Sequence, residues 1–413
     1  MMLHYDVLIV GTGHGGSHAA MALRQRGFTG TIAMVGDEVT YPYERPPLSK
    51  DYLAGEKSFE RILIRPDTFW ADRDIDLLTG SAVVSIDPVL HTATTAAGKT
   101  LHYQRLIWAA GGHAQRLNCP GHDVAGIHSI RSCEDVTRIL QDLARTERVA
   151  VVGGGYIGLE AAATFRKLGK KVTLFETLDR VLARVTGETI SRFFEQEHRA
   201  HGVDLRLRTS VQEIRATDGK VSGVRIDTGE TIATEMVIVG IGIRPSVDPL
   251  RSAGAHVANG VVVDEYGRTS LPDIFALGDC ALHPNRFADG LVIRLESVQN
   301  ANDMASTIAK FLTGESEPYN AVPWFWSNQY DLRLQTVGLS GGHDLAIVRG
   351  SPQTRSFSVV YLKNHKVIAL DCVNAVKDYV QGRVLVENQM VVDPAQLADP
   401  SISLKESHRN NPE

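Results

Sequence analysis

Two stretches of this chain repeat one pattern: residues 6–38, DVLIVGTGHGGSHAAMALRQRGFTGTIAMVGDE, and residues 148–177, RVAVVGGGYIGLEAAATFRKLGKKVTLFET. Each begins with a β-branched run and passes through a glycine cluster into an alanine-rich amphipathic segment. That segment stops near Gly27 or Gly169, and a second apolar run follows that ends at acids. The change from a continuous apolar run to a period of 3.6 and back predicts a strand–helix–strand unit, twice. In Gly11-x-Gly13-x-x-Gly16 and Gly153-x-Gly155-x-x-Gly158 the first glycine allows a tight turn. The second lets backbone amides approach a pyrophosphate, and the third lets the helix lie on the strand. The helix N-terminus then offers N–H donors and a partial positive charge. One such motif is weak evidence; two, each inside a unit of the right length, imply two dinucleotide sites.

The acids after the second runs bear on which dinucleotide binds where. Glu176 closes KVTLFE, where a carboxylate accepts both ribose hydroxyls of an adenosine and repels an additional phosphate. NADH is therefore the expected nucleotide of the second unit. In the first unit the matching position is Gly36, and Asp37 is expected to take the ribose, with Glu38 as the alternative. Further apolar runs, RLIWAAGG and EMVIVGIGIRP, are each expected to add a strand to one half. From residue 319 onward the chain becomes aromatic and β-rich, and FSVVYLKNHKVIALDCV alternates like two antiparallel strands around a turn. The tail KESHRNNPE reads as disordered.

Composition narrows the partners. A net charge of -5 and a pI near 6.3 give no global basic field, so neither nucleic acid nor an anionic membrane is expected. Four cysteines, Cys119, Cys133, Cys280 and Cys372, stand apart without a C-x-x-C pair, and no metal site is expected. Met1 leads directly into the first apolar run, and no stretch reaches the roughly 18 apolar residues of a membrane helix. The expected location is the cytoplasm.

The stretch TSLPDIFALGDCA, residues 269–281, resembles the second flavin motif of the two-dinucleotide-domain flavoprotein disulfide reductase superfamily, whose aspartate in the G-D pair binds the ribityl chain of FAD. By that resemblance Asp279 holds the ribityl hydroxyls. The first unit then takes FAD, and the chain returns to complete it after the nicotinamide unit. The redox cysteines of the superfamily's thiol-using members are missing from residues 12–27 and from YPYERPPLSK, so a thiol relay is not expected. The chain is more similar to the ferredoxin reductases of Rieske-type aromatic dioxygenases and bacterial cytochrome monooxygenases. IVGTG, RPPLSK, YLAG, VVGGGYIGLEAAA, GIGIRP, FALGDCA, RLESVQNA and PWFWSNQYDLRLQTVGLS carry the resemblance. Where those proteins read A-T-G at the close of the first half, this chain reads Ala109-Ala110-Gly111, and the proline-arginine that follows there is Ala114-Gln115.

The resemblance implies an α/β fold of two Rossmann-like domains, like glutathione reductase, with an α+β C-terminal domain. Its expected boundaries are 1–109 with 243–318 for FAD, 110–242 for NAD and 319–413 for the last domain. FAD is expected on Gly11, Gly13, Gly15, Gly16, Asp37, Lys50, Val83, Arg131, Asp279, Val298 and Trp326, and NAD on Gly153, Gly155, Gly158, Glu160, Glu176 and Gly242. For Val298 there is a local reason: Ser297 reads as the N-cap of VQNANDMASTIAKFL, whose first amides could face an anionic flavin edge. Lys50, held in a loop stiffened by Pro46 and Pro47, is expected beside the flavin nitrogen that takes hydride, paired with Glu160.

The implied activity is electron transfer from NADH through FAD to a small iron–sulfur ferredoxin feeding an oxygenase, by a monomer or dimer. Arg65 and Arg294 are the candidate docking cations. The alternatives are a rubredoxin or monodehydroascorbate type reductase and, from another class, a non-catalytic redox-sensing flavoprotein.

Overall fold

The computed structural model describes residues 3–407 of the 413. Its contacts divide the chain into two units. The first comprises Met1–Arg45, Ser58–His113 and Arg244–Ala321, and the second Pro46–Lys57, Ala114–Ile243 and Val322–Glu413.

In the first unit the opening β-branched run becomes the strand Leu3–Val10 at the centre of a parallel sheet. Ile32–Val35 pairs on one side, with Ile75–Leu78 beyond it. Thr100–Trp108 pairs on the other side, with Ile274–Ala276 beyond. Val7, Leu8, Ile9 and Val10 are all at most 5% exposed, and each buried side chain of this size stabilises by roughly 1.5–3 kcal/mol. Sheet faces this apolar are buried on both sides, which is what a continuous rather than alternating apolar run encodes. The helix His14–Gln25 follows the first strand and ends at Gly27, whose φ of +79° closes it. It packs against Val298–Leu312, the longest helix among the described residues at 15 residues and too short to cross a membrane. Val83–Asp87 and Thr92–Thr95 extend the sheet antiparallel.

The second unit repeats the parallel arrangement in the order Val203–Arg206, Lys171–Phe175, Arg148–Val152, Met236–Val239, Ile127–His128. Its glycine motif opens the helix Tyr156–Lys167. A three-stranded antiparallel sheet, Val211–Thr217, Lys220–Ile226 and Thr231–Ala233, is added to it.

The C-terminal segment forms a five-stranded antiparallel sheet followed by the helices Val376–Glu387 and Pro394–Ala398. The expected hairpin is Ser356–Lys363 with Lys366–Val373, and its two connecting residues, Asn364 and His365, both have positive φ, the conformation that a two-residue turn requires.

Two features differ from the sequence reading. The loop containing Lys50 belongs to the second unit, with Pro46–Ser49 as a short 3-10 turn. The tail expected to be disordered is ordered up to Ser407, which is fully buried and accepts the Asp393 N–H; residues 408–413 of it lie outside the described residues.

Candidate functional site

In the first unit, Gly11 leaves the central strand with φ +114°. A Cβ there would collide with the carbonyl of Ala109, and one on Gly16 would collide with the carbonyl of Gly11. Gly13 differs, because a Cβ on it would meet nothing within 4 Å. The outer glycines are therefore required by backbone packing, whereas the middle one opens on space at the N-terminus of His14–Gln25. A pyrophosphate would fit against it.

Other predicted residues gather around this loop. Gly15 faces Leu277 and Ala301, and the turn Gly278–Cys280 carries Asp279 alongside. Ser297 caps Val298–Leu312 by accepting the Asn300 N–H at 3.0 Å, so Val298 is the first residue of that helix. Gly36 packs on Thr12, where a Cβ would lie 2.6 Å from the hydroxyl. An acid at position 36 is thus excluded sterically, which is why the carboxylates come one and two residues later. Asp37 is exposed, whereas Glu38 is engaged by Arg45 and by the Tyr43 hydroxyl at 2.5 Å. The segment leading to Val83, at the start of its strand, is tied here by Ser81 N–H to the Gly36 carbonyl at 2.6 Å.

Of the four cysteines, Cys133, Cys280 and Cys372 are buried. Burial pushes the Cys280 thiol up to about 12 and the Cys372 thiol well above its usual range, so neither is a reactive thiolate.

The second unit presents the same cradle. Gly153 has φ +109° and abuts Gly240, Gly158 abuts Gly153, and Gly155 opens on empty space. Glu176 reaches back to this loop, accepting the Gly154 N–H at 2.7 Å and the Leu178 N–H at 2.8 Å. Gly242, φ +103°, follows the strand Met236–Val239, and its carbonyl accepts the Gln115 N–H at 2.9 Å. Arg131 precedes the capping box Ser132/Asp135 of Cys133–Leu143, and Trp326 lies on the strand Trp324–Gln329 with ring centroid 5.4 Å from that of Trp324. Tyr156 packs on Phe325 with centroids 4.4 Å apart.

Lys50 and Glu160 meet within this unit. The ammonium lies 2.5 Å from Glu160 Oε2, with the lysine side chain 14% exposed and the glutamate 2%. Glu160 is the fifth residue of Tyr156–Lys167, on its second turn. Sequence reasoning missed three partners. Ser49 donates its hydroxyl to the same Oε2 at 2.5 Å, Ser327 donates to Oε1 at 2.7 Å, and Thr164 donates to the Ser49 carbonyl at 2.8 Å. A buried carboxylate costs several kcal/mol unless it is paired and its lone pairs are satisfied, and here three donors do so. One available signal was adjacency, since Ser49 precedes Lys50 and Ser327 follows Trp326.

One expected docking residue is corrected. Arg294 is 11% exposed and donates to the Asp279 carbonyl at 2.9 Å and to Glu296 at 2.6 Å, so it props the Asp279 turn rather than offering a surface charge. Arg65 is exposed and lies over the Phe69 ring at 5.6 Å.

Comparison with known proteins agrees with this architecture. The pyridine nucleotide-disulphide oxidoreductase family model matches residues 5–305, and the reductase C-terminal family model matches residues 324–408. The chain is 58% identical to the 5,5'-dehydrodivanillate O-demethylase ferredoxin reductase subunit of a Sphingobium species, over 98% of each. It is 56% identical to a ferredoxin–NAD(P)(+) reductase of a Sphingomonas species, over 97% of each. The crystal structure of the covalent putidaredoxin reductase–putidaredoxin complex superposes with a TM-score of 0.94 at 39% identity, over 97% of each chain. This chain belongs to the pyridine nucleotide-disulphide oxidoreductase family, among its ferredoxin reductases.

Proposed function

We propose that this chain is an NADH-dependent reductase that delivers electrons to a small iron–sulfur ferredoxin serving an oxygenase of aromatic catabolism. The observation that carries this reading is the doubled cradle, with two parallel sheets each leading into a glycine loop whose middle glycine alone opens on space. Gly11, Gly13, Gly15, Gly16, Asp37, Val83, Asp279 and Val298 hold FAD, with Arg131 and Trp326 as further contacts. Gly153, Gly155, Gly158, Glu176 and Gly242 hold NADH. When bound, FAD links a two-electron donor to a one-electron acceptor.

The protein's own part is position and charge. The Lys50–Glu160 pair, desolvated and braced by two serines, holds an ammonium in place, which would stabilise negative charge developing on a bound flavin. Glu176 selects the nucleotide; Arg180, four residues on, is a nearby cation that could blunt the preference, and it is held in place. Its guanidinium is already bonded to the Ser191 hydroxyl at 2.6 Å and to the carbonyls of Thr186 and Ala183 at 3.0 Å. The cytoplasmic location expected from the sequence is part of this reading. The names of the three relatives cited above, two ferredoxin reductases and a putidaredoxin reductase, support the partner.

Rapid mixing of the FAD-loaded protein with NADH tests the reading. Fast bleaching of the flavin, followed by cytochrome c reduction only when a ferredoxin is added, is expected. Sluggish bleaching supports a redox sensor instead, and reduction of rubredoxin in preference to ferredoxin overturns the assigned partner.

A further inference from the structure

The donor to Glu160 Oε1 is the end of a longer buried chain within the second unit. Ser327 donates to Glu160 at 2.7 Å, and the Gln329 side-chain amide donates to the Ser327 hydroxyl oxygen at 3.1 Å. Gln329 Oε1 lies 2.8 Å from His198 Nε2, and the Tyr330 hydroxyl lies 3.1 Å from His198 Nδ1. Glu160, Ser327, Gln329 and His198 are at most 2% exposed.

The chemistry of each group fixes the direction of every bond. Gln329 spends its N–H on Ser327, so its oxygen must accept, and His198 Nε2 must carry the hydrogen. A neutral imidazole with hydrogen on Nε2 has a lone pair on Nδ1, which takes the Tyr330 hydroxyl proton. Burial keeps His198 neutral, pushing its pKa down to about 4. Tyr330 is itself stacked on His201 with centroids 3.7 Å apart and planes 11° from parallel, which holds its hydroxyl in place. All four bonds therefore donate toward the Glu160 carboxylate, and chains polarised in one sense strengthen their members.

Each link has a consequence for the next. Ser327 accepts from Gln329 at one lone pair and gives its single hydroxyl proton to Glu160. Oε1 is thereby anchored, which leaves Oε2 facing Ser49 and Lys50. Without the anchor the carboxylate is held only at Oε2, by Ser49 and Lys50, and its terminal torsion, which is broad and nearly two-fold, is less constrained.

We propose that Tyr330, His198, Gln329 and Ser327 form a positioning chain that fixes the rotation of the Glu160 carboxylate and, through it, the place of the Lys50 ammonium during reduction by NADH. This rests on the reading of the Lys50–Glu160 pair given above.

The test uses the FAD-loaded full-length protein. Ser327→Ala is expected to slow NADH-driven flavin reduction about tenfold, the effect of losing a hydrogen bond to a charged group. The Kd for NADH should stay within about twofold, because no nucleotide contact is removed. Ser327→Thr, which keeps the hydroxyl, should restore most of the rate, and Ser327→Ala should add little in a Glu160→Gln background. A second readout needs no turnover. Nitrogen-15 spectra of histidine-labelled protein should show the resonance lost in His198→Asn as a neutral Nε2–H imidazole down to about pH 5. If Glu160→Gln leaves reduction unchanged, the reading of the pair fails and the chain with it. If Glu160→Gln slows reduction while Ser327→Ala does not, or if His198 carries its hydrogen on Nδ1, the positioning chain alone is overturned. Should Ser327→Ala fail to fold, the tautomer of wild-type His198 still decides.

Discussion

The carboxylate of Glu176 accepts the backbone N–H of Gly154, binding the end of one strand to the glycine loop that leaves the next. In the proposed role, a carboxylate held at the mouth of the cradle would meet the adenosine ribose there, and an additional phosphate would face it at close range. NADH should be preferred over NADPH by at least about tenfold in kcat/KM, roughly 1.4 kcal/mol. Glu176→Ser should reduce that preference, and the cation able to profit is Arg208, exposed and tied by its own N–H to the Leu178 carbonyl at 2.9 Å. Steady-state assays of Glu176→Ser with and without Arg208→Ala check this; equal use of the two nucleotides by the unaltered protein would remove Glu176 from the role.

The two kinds of glycine in each loop should separate in a mutational test. Gly158→Ala places a Cβ against the Gly153 carbonyl and should lower the melting temperature by several degrees. Gly155→Ala meets nothing within 4 Å and should leave melting unchanged while raising the KM for NADH. Melting curves and NADH titrations of both variants are the measurement. The corresponding pair in the first unit, Gly16→Ala and Gly13→Ala, should divide in the same way with FAD content as the second readout.

Asp371 is fully buried beneath the Tyr361 hydroxyl, 2.7 Å away, and burial raises its pKa to about 7. The folded state thus holds a proton that the unfolded chain releases near the ordinary carboxylate value. Stability contributed by this group is complete below about pH 4 and is lost as pH rises toward 7. Asp371→Asn cannot titrate, so the melting temperature of the variant minus that of the wild type should increase across this window. Parallel curves would place the ionisation elsewhere.

Docking of an acidic ferredoxin on a protein of net charge -5 must use local cations. Arg65 remains the candidate, and Arg294 does not. Raising ionic strength should slow ferredoxin reduction and leave flavin reduction by NADH nearly unchanged. Arg65→Ala should flatten the salt dependence, whereas a ferredoxin rate independent of salt would point to an apolar docking surface.

Much of this fold is written locally. The β-branched runs, the glycine loops and the alanine-rich helices specify both strand–helix–strand units, and Ser297 reads correctly as a cap because capping involves residues three apart. What was not legible depends on residues far apart in the chain. The placement of Pro46–Lys57 is decided by Glu160 and Thr164, more than a hundred residues onward. The brace on Glu160 had one sign in the sequence, two polar residues, Ser327 and Gln329, spaced by two on an aromatic strand and so on the same face. Nothing local tells that His198, on the helix Glu188–Ala200, completes it. Arg294 was misread partly for the same reason: besides the nearby Glu296, its partner is the Asp279 carbonyl, fifteen residues back.

The central claim is that Lys50 and Glu160 act as one buried pair in reduction by NADH. Removing one charge leaves the other uncompensated, so each single variant is harmed twice over and the double variant only once. The decisive measurement is the rate of NADH-driven flavin reduction in the wild type, Lys50→Ala, Glu160→Ala and the double variant at one pH, with FAD content fixed by absorbance. Full FAD occupancy with a double variant clearly faster than the product of the single losses is the predicted result. Losses that multiply independently, or single variants as fast as the wild type, would contradict it.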